Sequence, residues 1–315
     1  MMPRPAVSVV IPVYNEEEVL EELFTRLTGV MDATGQPYEI LFTNDGSRDR
    51  SGALLESFYR RRPGHVRVID FNGNFGQHMA VMAALERARG DVVVTLDADL
   101  QNPPEEIPKL LAAIRQGHDV VGSYRRHRQD SWFRRAASAV LNRVRERITR
   151  IRMRDQGCML RAYRRHIVEQ ITSSQETSTF IPALAVSYAA SATEVEVEHA
   201  SRKAGVSKYR LYDLIRLNFD LMTGFSVVPL QLFTLFGMAV SVFSALFVVF
   251  LFIRRLVIGP EAEGVFTLFA ILYFLVGVGI LGLGIIGEYV GRIYQEVRRR
   301  PRFVIRRVYE QSDAS

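Results

Sequence analysis

For roughly its first two thirds the chain alternates short apolar runs with stretches of helical spacing, and it then turns apolar with few interruptions. Val7-Ser-Val-Val-Ile-Pro-Val13 is short and rich in β-branched residues, which predicts a buried strand, and Glu16 to Met31 follows with helical spacing. A second strand, Glu39 to Thr43, ends at Asn44-Asp45-Gly46-Ser47. Val66 to Ile69 gives a third, and Asp91 to Leu96 a fourth that ends at Asp97-Ala98-Asp99. Between the third and fourth, Gln77 to Arg89 places Met79, Val81, Met82 and Leu85 as a packed helix would. Strand and helix repeated in this way imply a mostly parallel, doubly wound α/β sheet, which binds ligands beyond the carboxyl ends of its strands. The polar clusters Tyr14-Asn15-Glu16, Asn44-Asp45-Gly46 and Asp97-Ala98-Asp99 all fall at those ends.

The later part has a different solvent. No charged side chain occurs from Leu221 to Ile253 or from Gly264 to Gly287, and both runs exceed the ~20 residues that span a bilayer. A core helix would keep polar residues on an outer face, and these runs have none. They predict two transmembrane helices, about 227–253 and 264–290, joined by the turn Arg254-Arg255-Leu-Val-Ile-Gly-Pro-Glu-Ala-Glu263. Basic residues flank the pair: Arg202, Lys203, Lys208, Arg210 and Arg216 before it, and Arg292, Arg298, Arg299, Arg300, Arg302, Arg306 and Arg307 after it. The positive-inside rule then puts both ends in the cytoplasm. No signal peptide is expected, because Val7 to Val13 runs into Tyr14-Asn15-Glu16 rather than a small-residue cleavage site. The expected organisation is a cytoplasmic domain over 1–208, an interface helix over 209–226, the hairpin over 227–291 and a basic tail over 292–315.

Composition agrees with this division. The chain has 315 residues, 48% of them hydrophobic and 23% charged, which excludes wholesale disorder. Its mean hydropathy of +0.04 averages a polar domain with an apolar anchor. The net charge of +6 lies largely beside the spans, so anionic lipid headgroups account for the basic run Arg298 to Arg307 without nucleic acid. A lone cysteine, Cys158, excludes an intramolecular disulfide framework and cysteine-rich zinc sites, and its plainest role is that of a small buried hydrophobe. Residues 131–150 place Trp132, Phe133, Ala136, Val140, Leu141, Val144 and Ile148 against an arginine-rich complement, as in a helix lying among lipid headgroups.

Candidate chemistry centres on Asp97 and Asp99. Two carboxylates just beyond a buried strand can share one hard divalent cation, which keeps waters and binds substrate phosphates. A solvated loop or a helix start at Asn102-Pro103-Pro104-Glu105-Glu106 is the plainer alternative. Within the expected cytoplasmic domain, residues 1–208, neither G-x-G-x-x-G nor G-x-x-x-x-G-K-[ST] occurs, which removes support for dinucleotide and P-loop chemistry.

Val-Ser-Val-Val-Ile-Pro-Val-Tyr-Asn-Glu, Asn-Asp-Gly-Ser and Leu-Asp-Ala-Asp-Leu-Gln resemble the motifs of family 2 glycosyltransferases of the GT-A fold. The two carboxy-terminal spans narrow the resemblance to the polyprenyl-phosphate branch. Further matches are Asp97 to Pro108, Arg128-Gln-Asp-Ser-Trp-Phe-Arg134, Gly157 to Val168, Ser178-Thr-Phe-Ile-Pro182 and Gly287 to Tyr294. The resemblance implies a Rossmann-like GT-A domain followed by a transmembrane hairpin. It implies inverting transfer of a sugar, 4-deoxy-4-formamido-L-arabinose, from UDP to undecaprenyl phosphate at the cytoplasmic face of a bacterial inner membrane, for lipid A modification. Transfer of glucose or another hexose to the same lipid, or an inactive membrane scaffold, are the competing readings. Pro12, Tyr14, Asn15, Glu16 and Asp45 would line the nucleotide site, with Asp45 facing the uracil and Gln101 nearby. Asp97 and Asp99 would bring Mg²⁺ or Mn²⁺ to the diphosphate. Asn44 departs from the Asp-Asp-Gly-Ser of many relatives. The Gln-x-x-Arg-Trp motif of processive synthases is absent, so one sugar is expected per encounter. A homo-oligomer, a tetramer by resemblance, is also implied.

A phosphate monoester has a second pKa of about 6, so the acceptor oxygen is already largely anionic at neutral pH. Asp155, at the position the family gives a catalytic base, is therefore expected to orient the acceptor or a sugar hydroxyl as much as to take a proton. Its alternative is a structural pairing with Arg152, Arg154 or Arg161. Arg125, Arg128, Arg202 and Lys208 are candidates to hold the acceptor phosphate.

Overall fold

The structure, a computed structural model, describes residues 4–125, 153–155, 157–174, 180–198, 227–259, 265–297 and 301–311. Arg128, Arg202, Lys208, the amphipathic stretch 131–150 and the segment 209–226 lie outside the described residues. The chain divides into two compact units: Met1–Ala137, Ile151–Lys208 and Arg300–Ser315 in one, Ser138–Arg150 and Tyr209–Arg299 in the other.

In the first unit the expected strands form as β1 (Val7–Val13), β2 (Tyr38–Asn44), β3 (Val66–Phe71) and β4 (Val92–Thr95). Their residues are buried almost throughout, and Ser8, Glu39, Asn44, Arg67 and Asp70 among them are buried in hydrogen bonds with one another. Helix α1 (Leu20–Ala33) buries Leu20, Leu23, Phe24, Leu27 and Met31, a single helical stripe. Phe24 stacks on Phe58 of α2 (Ser51–Arg61) with ring centroids 4.2 Å apart, and Phe58 meets Phe42 of β2 at 5.9 Å. That aromatic column clamps both helices to one face of the sheet. Helix α3 (Gln77–Leu85) is buried from Ala80 to Leu85, and α4 (Ile107–Arg115) follows a short 3₁₀ turn at Pro104–Glu106.

Among the described residues the sheet has eight strands, adding β5 (Val120–Arg125), β6 (Arg161–Arg164), β7 (Ala192–Val197) and β8 (Ile305–Tyr309), in the order β7-β5-β6-β4-β1-β2-β3-β8. The expected mostly parallel sheet is present, and two antiparallel strands make it mixed. β1 to β4 run parallel, as does β5 with β7, but β6 is antiparallel to β4 and β5, and β8 to β3. The cause is topological. β5 ends at the carboxyl edge of the sheet, and after a long connection β6 enters from that edge and runs back. β8 does the same, and joins the sheet from within what the sequence reads as a basic tail. Helices α5 (Arg165–Ser173) and α6 (Ile181–Tyr188) complete the unit.

The second unit holds two long helices, α7 (Val228–Ile258) and α8 (Val265–Val297). Ile271–Gly291 of α8 is long and apolar enough to cross a membrane. Among the described residues of α7 the apolar stretch Leu230–Val240 falls short of that length. Gly282 of α8 lies under the ring of Phe233 of α7, where any Cβ would collide with the ring.

Candidate active site

The chain steps outward from β1 to β2 and β3, then returns to the other side of β1 with β4. The sheet therefore has its topological switch point between β1 and β4, where open α/β sheets bind ligands. Ladder pairing of these strands stops at Val10 and Thr95, so Pro12 lies beyond it on the open side, and its missing N–H costs no hydrogen bond there. The residues after β1 and β4 then flank a crevice. Tyr14, 43% exposed, offers a ring at its mouth. Asp97 and Asp99 are half-buried while Ala98 and Leu100 between and after them are buried, which turns both carboxylates away from the core. Leu100 adopts φ 59°, unusual for a side chain of its bulk, and Asp99 Oδ1 accepts from the Gln101 amide at 3.1 Å. Gln77, first residue of α3, donates from Nε2 to Asp97 Oδ1 at 2.6 Å.

The loops after β1 and β2 are laced together. The Asn15 amide donates to Ser47 Oγ at 3.1 Å, and Asn15 Oδ1 accepts from the Arg48 amide at 2.8 Å. The Glu16 amide donates to Ser51 Oγ at 2.9 Å. Asn15, at φ 55°, is thus a loop former as well as a candidate ligand, and asparagine tolerates that backbone. Asp45 is only 2% exposed. Its two oxygens accept from the Phe75 and Gly76 amides at 2.7 and 2.9 Å, tying the β2 turn to the entry of α3. A carboxylate has about four acceptor positions, so lone pairs remain for a further donor. Burial pushes the Asp45 carboxyl above its usual range, and the two backbone donors oppose that shift. Gly46 is required twice over: its φ is +70°, and a Cβ would sit 2.5 Å from the carbonyl carbon of Gly73.

Asp155 is 5% exposed, and its Oδ1 accepts from the Gly157 amide at 3.0 Å. The buried guanidinium of Arg161 reaches this segment, donating from Nη2 to the Asp155 carbonyl at 2.7 Å and from Nε to the Cys158 carbonyl at 2.9 Å. Arg154 turns elsewhere, with its guanidinium 4.9 Å from the Tyr124 ring centre and its amide on Glu194 Oε1. Cys158 donates to Asn102 Oδ1 at 3.3 Å and contacts Ser123 Oγ at 2.9 Å. Through that thiol the Asp155 segment is tied to the loop carrying Asp97 and Asp99, so Cys158 is a junction as well as a buried small side chain. Arg125 ends β5 at the same carboxyl edge. The structure thus brings together the ends of β1, β2 and β4 and the Asp155 segment. Sequence reasoning missed Gln77, which belongs to no charged cluster or motif, and named Arg161 only as one of three possible partners of Asp155.

Among the described residues no three histidine, cysteine, aspartate or glutamate side chains form a metal cage. Two oxygen donors on one loop instead suit a hard cation that completes its shell with water and substrate phosphate, so the residues present fit Mg²⁺ or Mn²⁺.

A doubly wound sheet with a carboxylate pair at its switch point is the arrangement of an α/β protein that takes its ligand at the carboxyl edge of the sheet. The glycosyl transferase family 2 pattern matches residues 8–172, and the chain belongs to that family: it is a glycosyltransferase. It is 50% identical over 304 residues to the undecaprenyl-phosphate 4-deoxy-4-formamido-L-arabinose transferase of Aeromonas hydrophila, covering 96% of this chain and 93% of that one. The protein of the same name from Edwardsiella ictaluri is 49% identical, with 96% and 94% covered. Among solved structures, glucosyl-3-phosphoglycerate synthase from Mycobacterium tuberculosis, in complex with Mn²⁺, UDP and phosphoglyceric acid, is 18% identical with a TM-score of 0.47, covering 70% of this chain and 76% of that chain.

Proposed function

We propose that the chain transfers 4-deoxy-4-formamido-L-arabinose from UDP to undecaprenyl phosphate at the cytoplasmic face of the membrane, with inversion at the anomeric carbon. The observation that carries this reading is identity near one half to transferases of that name along almost the whole chain, the two long helices included. An anionic oxygen of the lipid phosphate attacks the anomeric carbon, the bond from that carbon to the UDP oxygen breaks, and UDP leaves. With the acceptor already ionised, alignment is the larger task, and it is worth about 7–11 kcal/mol when complete. Asp155, held by Gly157 and Arg161, serves that alignment. Asp97 and Asp99 would hold Mg²⁺ or Mn²⁺, which when bound stabilises the charge of the departing diphosphate. Gln77 fixes the Asp97 carboxylate from the start of α3. The apolar length of Ile271–Gly291 supports membrane attachment, and α7 and α8 together form the proposed transmembrane hairpin.

The test uses the full chain in detergent with undecaprenyl phosphate and a panel of UDP-sugars, reading UDP release. Turnover with the formamido-arabinose donor is expected. Turnover with UDP-glucose alone would transfer the assignment to a hexosyltransferase, and no turnover with any donor would leave a scaffold. Asp155→Asn is expected to lower turnover while UDP binding stays near wild type; unchanged turnover refutes its role.

A further inference from the structure

Asn44 stands where the family resemblance expects an aspartate, and the fold supplies a reason. The Ser47 amide donates to Asn44 Oδ1 at 3.0 Å, which orients the side-chain amide, and Nδ2 donates to Asp70 Oδ1 at 2.8 Å. Asn44 and Asp70 are both buried and are paired residues of β2 and β3. The second oxygen of Asp70 accepts from Nε and Nη2 of Arg306 in β8, with Nε at 2.9 Å. A line of donors and acceptors thus runs across three adjacent strands, Arg306 to Asp70 to Asn44 to the Ser47 amide. It ends inside the turn whose Asp45 holds the Phe75 and Gly76 amides and whose Ser47 hydroxyl accepts from Asn15. An aspartate at 44 would set two carboxylates against each other and remove the donor that Asp70 uses.

β8 has further anchors on this edge. Phe303 stacks on Phe71 with centroids 5.1 Å apart, and Glu310 pairs with Arg67, which also meets the buried Glu39 at 3.0 Å. These contacts hold the strand in register; Phe71 also meets the Phe75 ring edge-on at 5.5 Å, so an apolar path approaches the turn beside the polar one that starts at Arg306.

We propose that β8 is a working part of the donor site. Arg306, Asp70 and Asn44 are positioning residues that keep the Asp45-Gly46-Ser47 turn in its nucleotide-binding shape. The proposal rests on reading that turn as the nucleotide site. The experiment compares full-length wild type, Asn44→Asp, the exchange Asn44→Asp with Asp70→Asn, and Arg306→Gln. It reads calorimetric binding of UDP, donor KM and kcat with undecaprenyl phosphate, and the melting temperature. Asn44→Asp is expected to raise the UDP Kd and donor KM about tenfold, which is about 1.4 kcal/mol, with kcat at saturating donor held within about twofold. The exchange puts the side-chain amide on β3 and the carboxylate on β2, so a donor again faces an acceptor. It returns UDP binding to within about threefold of wild type, as coupled neighbours do. Arg306 is largely exposed, so Arg306→Gln shifts Kd in the same direction by less.

UDP binding unchanged in Asn44→Asp overturns the proposal, as does an exchange no better than the single variant. An Arg306→Gln protein that melts earlier yet binds UDP normally reduces β8 to a brace and also overturns it. If Asn44→Asp does not fold, the exchange and Arg306→Gln decide. Wild type that fails to bind UDP removes the nucleotide reading itself, and the proposal with it.

Discussion

Replacing Gly46 with alanine probes the turn at the heart of the proposed donor site. The backbone at this position has φ +70°, and a Cβ would meet the Gly73 carbonyl carbon at 2.5 Å and the Asn74 nitrogen at 2.8 Å. Neither neighbour is the movable tip of a side chain, so the turn itself must shift. The left-handed backbone costs about 1–2 kcal/mol for an alanine, and overpacking against main chain typically adds about 1–3 kcal/mol. Their sum, about 2–5 kcal/mol, exceeds what one exposed turn can absorb without changing shape. Asp45 then loses its alignment with the Phe75 and Gly76 amides. Calorimetry with UDP should show affinity reduced at least tenfold, about 1.4 kcal/mol or more. The melting temperature should fall by only a few degrees if the loops give way and the sheet does not, about 2–4 °C per kcal/mol being the scale for a domain of about 150–250 residues. Gly46→Asn separates the causes, because asparagine tolerates the left-handed backbone but still carries a Cβ. Equal damage from both variants assigns the effect to contact with Gly73, and milder damage from asparagine assigns it to the backbone. Wild-type UDP affinity in Gly46→Ala would refute the close approach of the two loops as a condition of binding.

Other expectations follow from the same packing. Arg161→Leu strips the donors from the Asp155 and Cys158 carbonyls, each costing about 1–3 kcal/mol when left buried and unpaired, so kcat and stability should fall together. Arg161→Lys should not restore kcat, since an ammonium lacks the planar fork that spans both carbonyls; full rescue by lysine would contradict this. Phe58→Ala opens the aromatic column between α1, α2 and β2 and should cost about 3–5 kcal/mol in chemical denaturation; a loss below about 1 kcal/mol would show that the column relaxes. Burial pushes the Cys158 thiol up, so less thiolate is present than for a free cysteine, and native protein should resist iodoacetamide at about pH 8 while unfolded protein reacts. Rapid labelling of native protein would contradict the buried junction.

The parts of the fold that were legible in the sequence are those whose burial is uniform. β1 to β3 are covered on both faces, so the apolar stretches Val9–Ile11 and Ile40–Phe42 stand out, while the buried Arg67 and Asp70 interrupt β3 and shorten its apolar signal. Arg161–Arg164 does not stand out, because this central strand carries arginine at both ends, one of them satisfied by carbonyls six and three residues earlier in the chain. In the sequence β8 falls within the basic tail because Ile305-Arg-Arg-Val-Tyr309 has the charge of a tail. Its arginines are instead edge-strand side chains, and Arg306 turns inward to Asp70. At the proposed site, Asp97, Asp99 and the Asp45 turn can be named as candidates from the sequence because local motifs carry them. Gln77 and Arg306 cannot, because each acquires its role only when strands far apart in the chain become neighbours.

Asn44 shows what is lost when a motif is judged one residue at a time. Against Asp-Asp-Gly-Ser, an asparagine reads as a weakening of the nucleotide site. In the folded chain the partner at position 70 is itself an aspartate, buried, with its other oxygen on Arg306. A second carboxylate at 44 would place like charges in a low-dielectric strand interior, where one must take a proton or move away. Asparagine satisfies both neighbours at once, accepting from Ser47 and donating to Asp70. The departure and the acidic residue on the next strand are therefore one feature. Position 44 should tolerate aspartate wherever position 70 offers a donor or an apolar side chain, and should require asparagine where position 70 is acidic. A chain of this family with aspartate at both positions would need a bound cation or a shared proton between them.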